Sequence, residues 1–189
     1  MKVHVATSRE VGERCKQLAS GLVSMEECDI FISVLYDKII SDDFIKSKKA
    51  CFNFHPAILP EYRGIGAYTW VILNEEKESG VTLHLIDEEI DHGPIIDIER
   101  FPITDSDSAG TVYAKAEATI LRMFQRWYEL LVAGDFTATE QDHSRARIYH
   151  RKDLENGADL TKYVRAFTFP GRYSASYRDR DGTKHELAY

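Results

Sequence analysis

Little cysteine, no long apolar run and no excess of basic residues mark this 189-residue chain. Cys15, Cys28 and Cys51 are too few for a disulfide framework, and their spacing matches no metal-binding pattern. Such usage points to reduced thiols in a cytoplasmic protein. Lys and Arg number 24 against 31 Asp and Glu, a formal net charge of −7, so the class of general nucleic-acid binders is disfavoured. Those proteins neutralise phosphates with a basic surplus. The longest largely apolar stretch, Ile30 to Tyr36, falls far short of the ~20 residues a helix needs to cross a bilayer. Arg9, Glu10, Glu13, Arg14 and Lys16 leave no room for a signal-peptide core in the first twenty residues. There is no repeat, no low-complexity tract and no linker.

What remains is an ordinary globular chain, long enough to bury one core. Val3 to Ala6 reads as a first strand. Thr7 is expected to cap the following helix, with Glu10 completing a capping box and Gly21 near its end. Asp29 to Leu35 is a continuous β-rich run, which suits a strand buried on both faces. Further strands are expected over Ala50–Phe54, Val81–Ile86 and Ile95–Phe101, and helices over Ser41–Lys48 and Tyr68–Asn74. The clearest helix runs from Ser108 to Ala133, with Val112, Ala116, Ile120, Phe124, Trp127 and Leu131 on one face and Gly134 as terminator. Strands alternating with helices predict an α/β fold, a Rossmann-like, mostly parallel sheet flanked by helices. Residues 140–160 are polar. After them come a short helical turn over Thr161–Phe167, a break at Pro170-Gly171, and a hairpin of Tyr173–Tyr177 with Lys184–Leu187 around Asp181-Gly182. The division expected is a catalytic domain over 1–140 and a small C-terminal α+β subdomain over 141–189.

Two segments carry chemistry. Phe52 to Gly64 places Asn53 and His55 two apart at a strand end, so the amide and the imidazole project to one side. Open α/β sheets bind ligands at their carboxyl edge. Read alone, the pair is more simply a polar strand end with incidental side chains. The second segment, Asp87 to Ile96, crowds Asp87, Glu88, Glu89 and Asp91 into one loop. It reads as a solvated acidic turn, as a metal site of Asp87, Asp91 and His92, or as the source of a carboxylate, Asp91, that partners His55.

Taken in order, these segments resemble the formyltransferases that use 10-formyltetrahydrofolate, among them the glycinamide ribonucleotide, methionyl-tRNA and nucleotide-sugar enzymes. The resemblance rests on the Asn53/His55 pair, the Asp91-His92-Gly93 loop and the spacing between them. Leu59-Pro60, Arg63-Gly64 and Gly80-Val81-Thr82 add to it, over Asp29 to Leu131. It implies direct attack of a neutral amine on the formyl carbon, with Asn53 donating to the tetrahedral oxyanion, His55 either donating to it when protonated or taking the amine proton when neutral, and Asp91 orienting the imidazole and assisting proton transfer. No metal and no covalent enzyme intermediate are implied, and no Gly-x-Ser-x-Gly elbow is present. By the same resemblance the pterin of the folate cosubstrate lies against Leu35, Tyr36, Asp37, Lys38 and Ile39, with Asp87, Glu88 and Ile90 in the opposite wall.

The acceptor implied is an amino sugar on a nucleotide carrier. Ile86 to Gly93 looks most like the sugar enzymes, and the acidic balance and short tail speak against tRNA. The Arg165-Ala166-Phe167-Thr168-Phe169-Pro170 stretch speaks against glycinamide ribonucleotide. Arg63, Tyr68 and Trp70 are candidate acceptor contacts, with phosphate binding and ring stacking as their chemistry; packing for Trp70 and a surface ion pair for Arg63 are the bland alternatives. One departure stands out. Fewer residues precede Asn53 than in family members, so one or two strand–helix units of the usual N-terminal half are expected to be absent, and Thr7-Ser8-Arg9-Glu10 stands where a glycine-rich fingerprint would be. The expected partners are small-molecule substrates and, for the polar tail, a second copy in a homodimer. Neither nucleic acid nor membrane is expected. A folate- or nucleotide-binding homologue without turnover, and a metal-dependent hydrolase, are the competing classes.

Overall fold

The structure is a computed structural model and describes residues 1–149, 160–170, 174–178 and 181–187. The elements follow as β1 (Val3–Thr7), α1 (Glu10–Leu18), β2 (Ile30–Val34), α2 (Asp42–Ser47), β3 (Ala50–His55), β4 (Arg63–Gly64) and α3 (Ala67–Leu73). Then come β5 (Glu78–Leu85), β6 (Ile95–Pro102), α4 (Ala109–Ala133), β7 (Ile148–Tyr149), α5 (Leu160–Ala166), β8 (Ser176–Arg178) and β9 (Lys184–Glu186). The main sheet has the order β1-β2-β3-β5-β6. β1, β2 and β3 pair in parallel, while β5 runs antiparallel to both β3 and β6. Four strands therefore share one direction and only β5 opposes them, a mostly parallel sheet with one reversal. β4 and β7 form a separate two-residue parallel pair, and β8 and β9 an antiparallel one. The expected break at Pro170-Gly171 and the strand start at Tyr173 involve Gly171 and Tyr173, which lie outside the described residues.

The pleat sorts the two faces of the sheet. Ile30, Ile32, Val34, Phe52 and Phe54 join Val3, Val5, Val81 and Leu83 on one face, packed with Val11, Val71, Ile72, Val112, Ile120, Met123, Phe124 and Leu131 of α1, α3 and α4. Burial of such side chains stabilises by roughly 1.5–3 kcal/mol each, so this face is the core. The stripe read from α4 is largely buried as expected. Trp127 sits at its margin and donates its indole N–H to Asp97 Oδ2 at 2.8 Å. Ser108 caps α4 in a reciprocal box with Thr111, whose hydroxyl accepts from the Ser108 amide at 2.9 Å.

The cap expected of Thr7 on α1 does not form. Thr7 is the last residue of β1, and its hydroxyl accepts the Arg9 amide at 3.0 Å in a local turn. That moves the helix start to Glu10, with Arg9 as the N-cap and no side-chain cap. Glu10 thus occupies the first helical position instead of the third, where a capping box needs it.

The other face of the sheet has two parts. Phe31 and Cys51, with Tyr36, Ile40, Phe44, Ile45 and Ile86, make a small apolar cluster. Beside it runs a polar row, in which Ser33 pairs with Asn53 and Asn53 with His84, while His55 pairs with Thr82. Ser33, His55, Thr82 and His84 are all buried.

Candidate active site

Asn53 and His55 close β3, one pleat repeat apart, so both project from the polar face. Because β5 is antiparallel to β3, the loop that leaves it (residues 86–94) begins beside the start of β3 and must fold back to reach this row. Gly93 makes the return possible, because a Cβ there would sit 2.1 Å from the Leu85 carbonyl oxygen. Asp91 adopts a left-handed backbone with φ of 50°, and its carboxylate comes to rest among Asn53, His55, His84 and Gly64.

Each hydrogen of this cluster can be assigned. The His84 Nδ1 lies 2.7 Å from the Leu85 carbonyl, so it donates, and Nε2 is left as an acceptor. Asn53 Nδ2 fills that acceptor at 3.1 Å and points its other hydrogen to Asp91 Oδ1 at 3.4 Å. His55 Nε2 lies 2.6 Å from the Tyr62 carbonyl and donates to it. His55 Nδ1 faces Asp91 Oδ2 at 3.4 Å. With Nε2 taken by Tyr62, Nδ1 is the ring nitrogen that meets the carboxylate. Gly64 N–H completes the shell at 2.9 Å from Asp91 Oδ2. A Cβ at Gly64 would lie 2.4 Å from the Tyr149 carbonyl, and its φ is 88°, so glycine is required for this backbone approach. Burial pushes the His84 imidazole well below its usual range; attraction to Asp91 opposes the shift and repulsion from His55 adds to it. His84 is a neutral acceptor.

The remaining residues singled out from sequence lie in two loops and an outer group. Leu35 follows β2 with a φ of 51° and turns the chain toward Tyr36, whose ring meets Phe31 edge-on. Asp37 accepts from the Ser8 hydroxyl at 2.6 Å; Lys38 and Ile39 are exposed. In the acidic loop, Asp87 pairs with His92 at 2.6 Å, Glu88 reaches Lys46 of α2 at 2.5 Å, and Ile90 is exposed. Asp87 and His92 thus satisfy each other while Asp91 turns to His55. The three do not converge on a common point, and among the described residues no group of three or more acidic, His or Cys side chains has metal-site geometry.

Arg63 is not the surface ion pair that its bland reading suggests. It is buried, with Nε and Nη2 donating to Gln141 Oε1 at 3.2 and 2.6 Å and Nη2 also 2.8 Å from His143 Nδ1. Tyr68 packs edge-on against Tyr113 and Phe169. Trp70 packs on Tyr149 with centroids 4.6 Å apart. A cleft of about 400 Å³ lies beside this outer group, lined by Glu61, Tyr62, Glu76, Arg145, Arg147 and Tyr149 among others.

Sequence reasoning missed two members of the site. His84 stands in the alternating run Val81-Thr82-Leu83-His84, and the period of two places it and Thr82 on the face of His55; that signal was available. Gln141 lies in a polar stretch with no pattern at all.

Comparison with known proteins places this geometry in context. A family model described as formyl transferase matches residues 3–124. A bifunctional polymyxin resistance protein ArnA from Wigglesworthia glossinidia brevipalpis is 29% identical over 157 residues, covering 77% of this chain but only 24% of its own length. The chain therefore spans about a quarter of that curated relative. Among solved structures, a sugar N-formyltransferase from Shewanella sp FDAARGOS_354 superposes with a TM-score of 0.85 at 19% identity, over 100% of this chain and 97% of the other. An N-formyltransferase from Helicobacter canadensis, solved with folinic acid and dTDP-3-aminofucose, gives 0.78 at 22% identity over 89% and 81%. At such identities the likeness to the solved structures is one of fold.

Proposed function

Because the chain belongs to the formyl transferase family, we propose that it moves a formyl group from 10-formyltetrahydrofolate to the amine of an amino sugar on a nucleotide carrier. The observation that carries this reading is the convergence of Asn53, His55 and Asp91 on one face of the sheet, from two segments far apart in sequence. Asn53 Oδ1 has no partner among the described residues and is free to accept an N–H of the incoming amine, which aims the nitrogen lone pair. As charge develops on the formyl oxygen, the longer of the two Asn53 donations, at 3.4 Å to Asp91, is the one that turns to it. Asp91, more accessible than His55, takes the proton the amine sheds and returns it to the folate nitrogen as the formyl C–N bond to that nitrogen breaks and tetrahydrofolate leaves. His55, seated by Tyr62, balances the charge across Nδ1.

The flanking surfaces suit a flat, largely apolar heterocycle with few polar edges. In this reading Leu35, Tyr36, Asp37, Lys38 and Ile39 give one wall beside the apolar cluster and Asp87, Glu88 and Ile90 the other, and the Lys46–Glu88 ion pair holds the acidic loop to α2. On the acceptor side, Arg63 Nη1 has no partner among the described residues and is available to a phosphate oxygen, with Tyr68 and Trp70 nearby in sequence as aromatic contacts. The names of the relatives support the sugar acceptor, since the structures of similar fold include sugar N-formyltransferases. The test is tetrahydrofolate release from 10-formyltetrahydrofolate with a panel of nucleotide-linked amino sugars, glycinamide ribonucleotide and methionyl-tRNA. Release that depends on one amino sugar supports the proposal. Release with another amine corrects the acceptor, and folate binding without release under any amine defeats the enzyme reading.

A further inference from the structure

We infer that Gln141 is a positioning residue, which clamps the loop carrying Asp91 and so sets the distance between that carboxylate and the Asn53/His55 pair; the catalytic part of this inference rests on the functional reading above. Gln141 lies beyond α4, fifty residues from Asp91, and is 5% exposed. Its amide is used at both ends. Nε2 donates to the Asp91 carbonyl at 2.9 Å and to the Gly93 carbonyl at 2.8 Å. Oε1 accepts both Arg63 contacts. Because a guanidinium can only donate, it forces Oε1 toward itself and Nε2 toward the loop. A flipped amide would set its N–H groups against a buried cation.

The loop needs such a clamp. A left-handed backbone at a residue with a Cβ costs roughly 1–2 kcal/mol and persists only where the surroundings hold it. Gln141 grips the carbonyls on either side of His92, so it bridges the turn that aims Asp91. Two further contacts act in the same sense. Arg63 and Gly64 are consecutive, so the short β4 strand seats Gln141 through one residue and the Asp91 carboxylate through the next. His143, which receives Arg63, stacks on His92 with centroids 4.1 Å apart and planes within 5°. The segment after the long helix thereby governs an acid that lies before it.

Two variants separate the halves of the clamp. Gln141→Glu keeps an acceptor for Arg63 and loses the donors to the loop; Gln141→Met keeps the volume and loses both. The Gly64 amide, bonded to the Asp91 carboxylate, reports the position of Asp91 by hydrogen exchange without any substrate. Both variants should exchange Gly64 at least about tenfold faster, while β2 and β3 amides keep their protection and show that the fold is intact. The kcat for formyl transfer should fall about a hundredfold with the KM for the amine within about threefold, the signature of a displaced group, not a lost binding contact. Unchanged Gly64 exchange in both variants overturns the inference whatever the activity. Wild-type kcat in Gln141→Glu also overturns it, provided Asp91→Asn is inactive. If Asp91→Asn itself retains transfer, the functional reading fails, and the exchange result still judges the clamp.

Discussion

Buried and neutral, His84 should make folding stability depend on pH in a window of its own. Its ordinary value of 6.5 is lowered to about 4, first by burial. In the unfolded chain it takes up a proton as the pH falls below 6.5, whereas the folded chain refuses that proton until near 4. Stability is therefore fully present above 6.5 and declines as the pH drops toward 4. At pH 5 the unfolded chain is almost fully protonated at this site, which corresponds to a loss of about 2 kcal/mol, and the full shift corresponds to about 3 kcal/mol. The perturbation is His84→Gln, which keeps a hydrogen-bonding side chain that does not titrate. Urea unfolding of both proteins between pH 5 and 8 gives the two curves. The variant is less stable at pH 7 and above, because Asn53 loses a well-placed acceptor, and the difference between the curves should move in its favour by about 2 kcal/mol from pH 7 to pH 5. Parallel curves over that range would mean that folded His84 takes up its proton as readily as the unfolded chain does, and the reading of burial as what keeps it neutral would fail.

Three further outcomes follow from geometry. His55→Ala and Asp91→Asn should each reduce formyl transfer by at least about a thousandfold, since donor and base act as a unit, while thermal unfolding shows both variants folded; near-wild-type transfer in either removes that residue from the mechanism. Gly93→Ala must push the loop off the Leu85 carbonyl and should cost about 1–3 kcal/mol together with most of the transfer rate, measured by urea titration and assay on one preparation. Asp107 is pushed up by burial but pulled further down by donation from Lys115, the Thr104 amide and Thr111, to about 2 from 3.8. It contributes stability above 3.8 that is lost as the pH falls through about 2, so Asp107→Asn should be less stable than wild type at pH 6 and lose that deficit in strong acid.

How much was legible in advance varied with how local the signal is. The apolar spacing along α4 and the β-rich run of β2 are decided by neighbours a few residues away, and both elements stand where their periods put them. The Asn53/His55 pair was legible for the same reason, since two positions on one strand share a face whatever else the chain does. The single reversed strand was not legible: nothing in Glu78 to Leu85 states its direction, which depends on the pairing of β3 with β5. Arg63 shows the limit most clearly. An arginine after a turn reads as solvent-exposed, yet its burial is set by Gln141 and His143, partners 78 and 80 residues away. The failed cap at Thr7 is a contest between two local bonds to the same hydroxyl, and the turn to Arg9 won.

The position of α4 between Asp91 and Gln141 has a consequence for the chain as it is made. A ribosome releases Asn53, His55 and the whole acidic loop before it has synthesised the 25-residue helix that supplies much of the core, and it releases Gln141 only afterwards. The order of synthesis thus separates making the candidate site's own residues from making the residue that holds their loop. A nascent chain therefore exposes the Asp91 loop before its Gln141 contacts exist, so that loop takes its final shape only after the helix has been made.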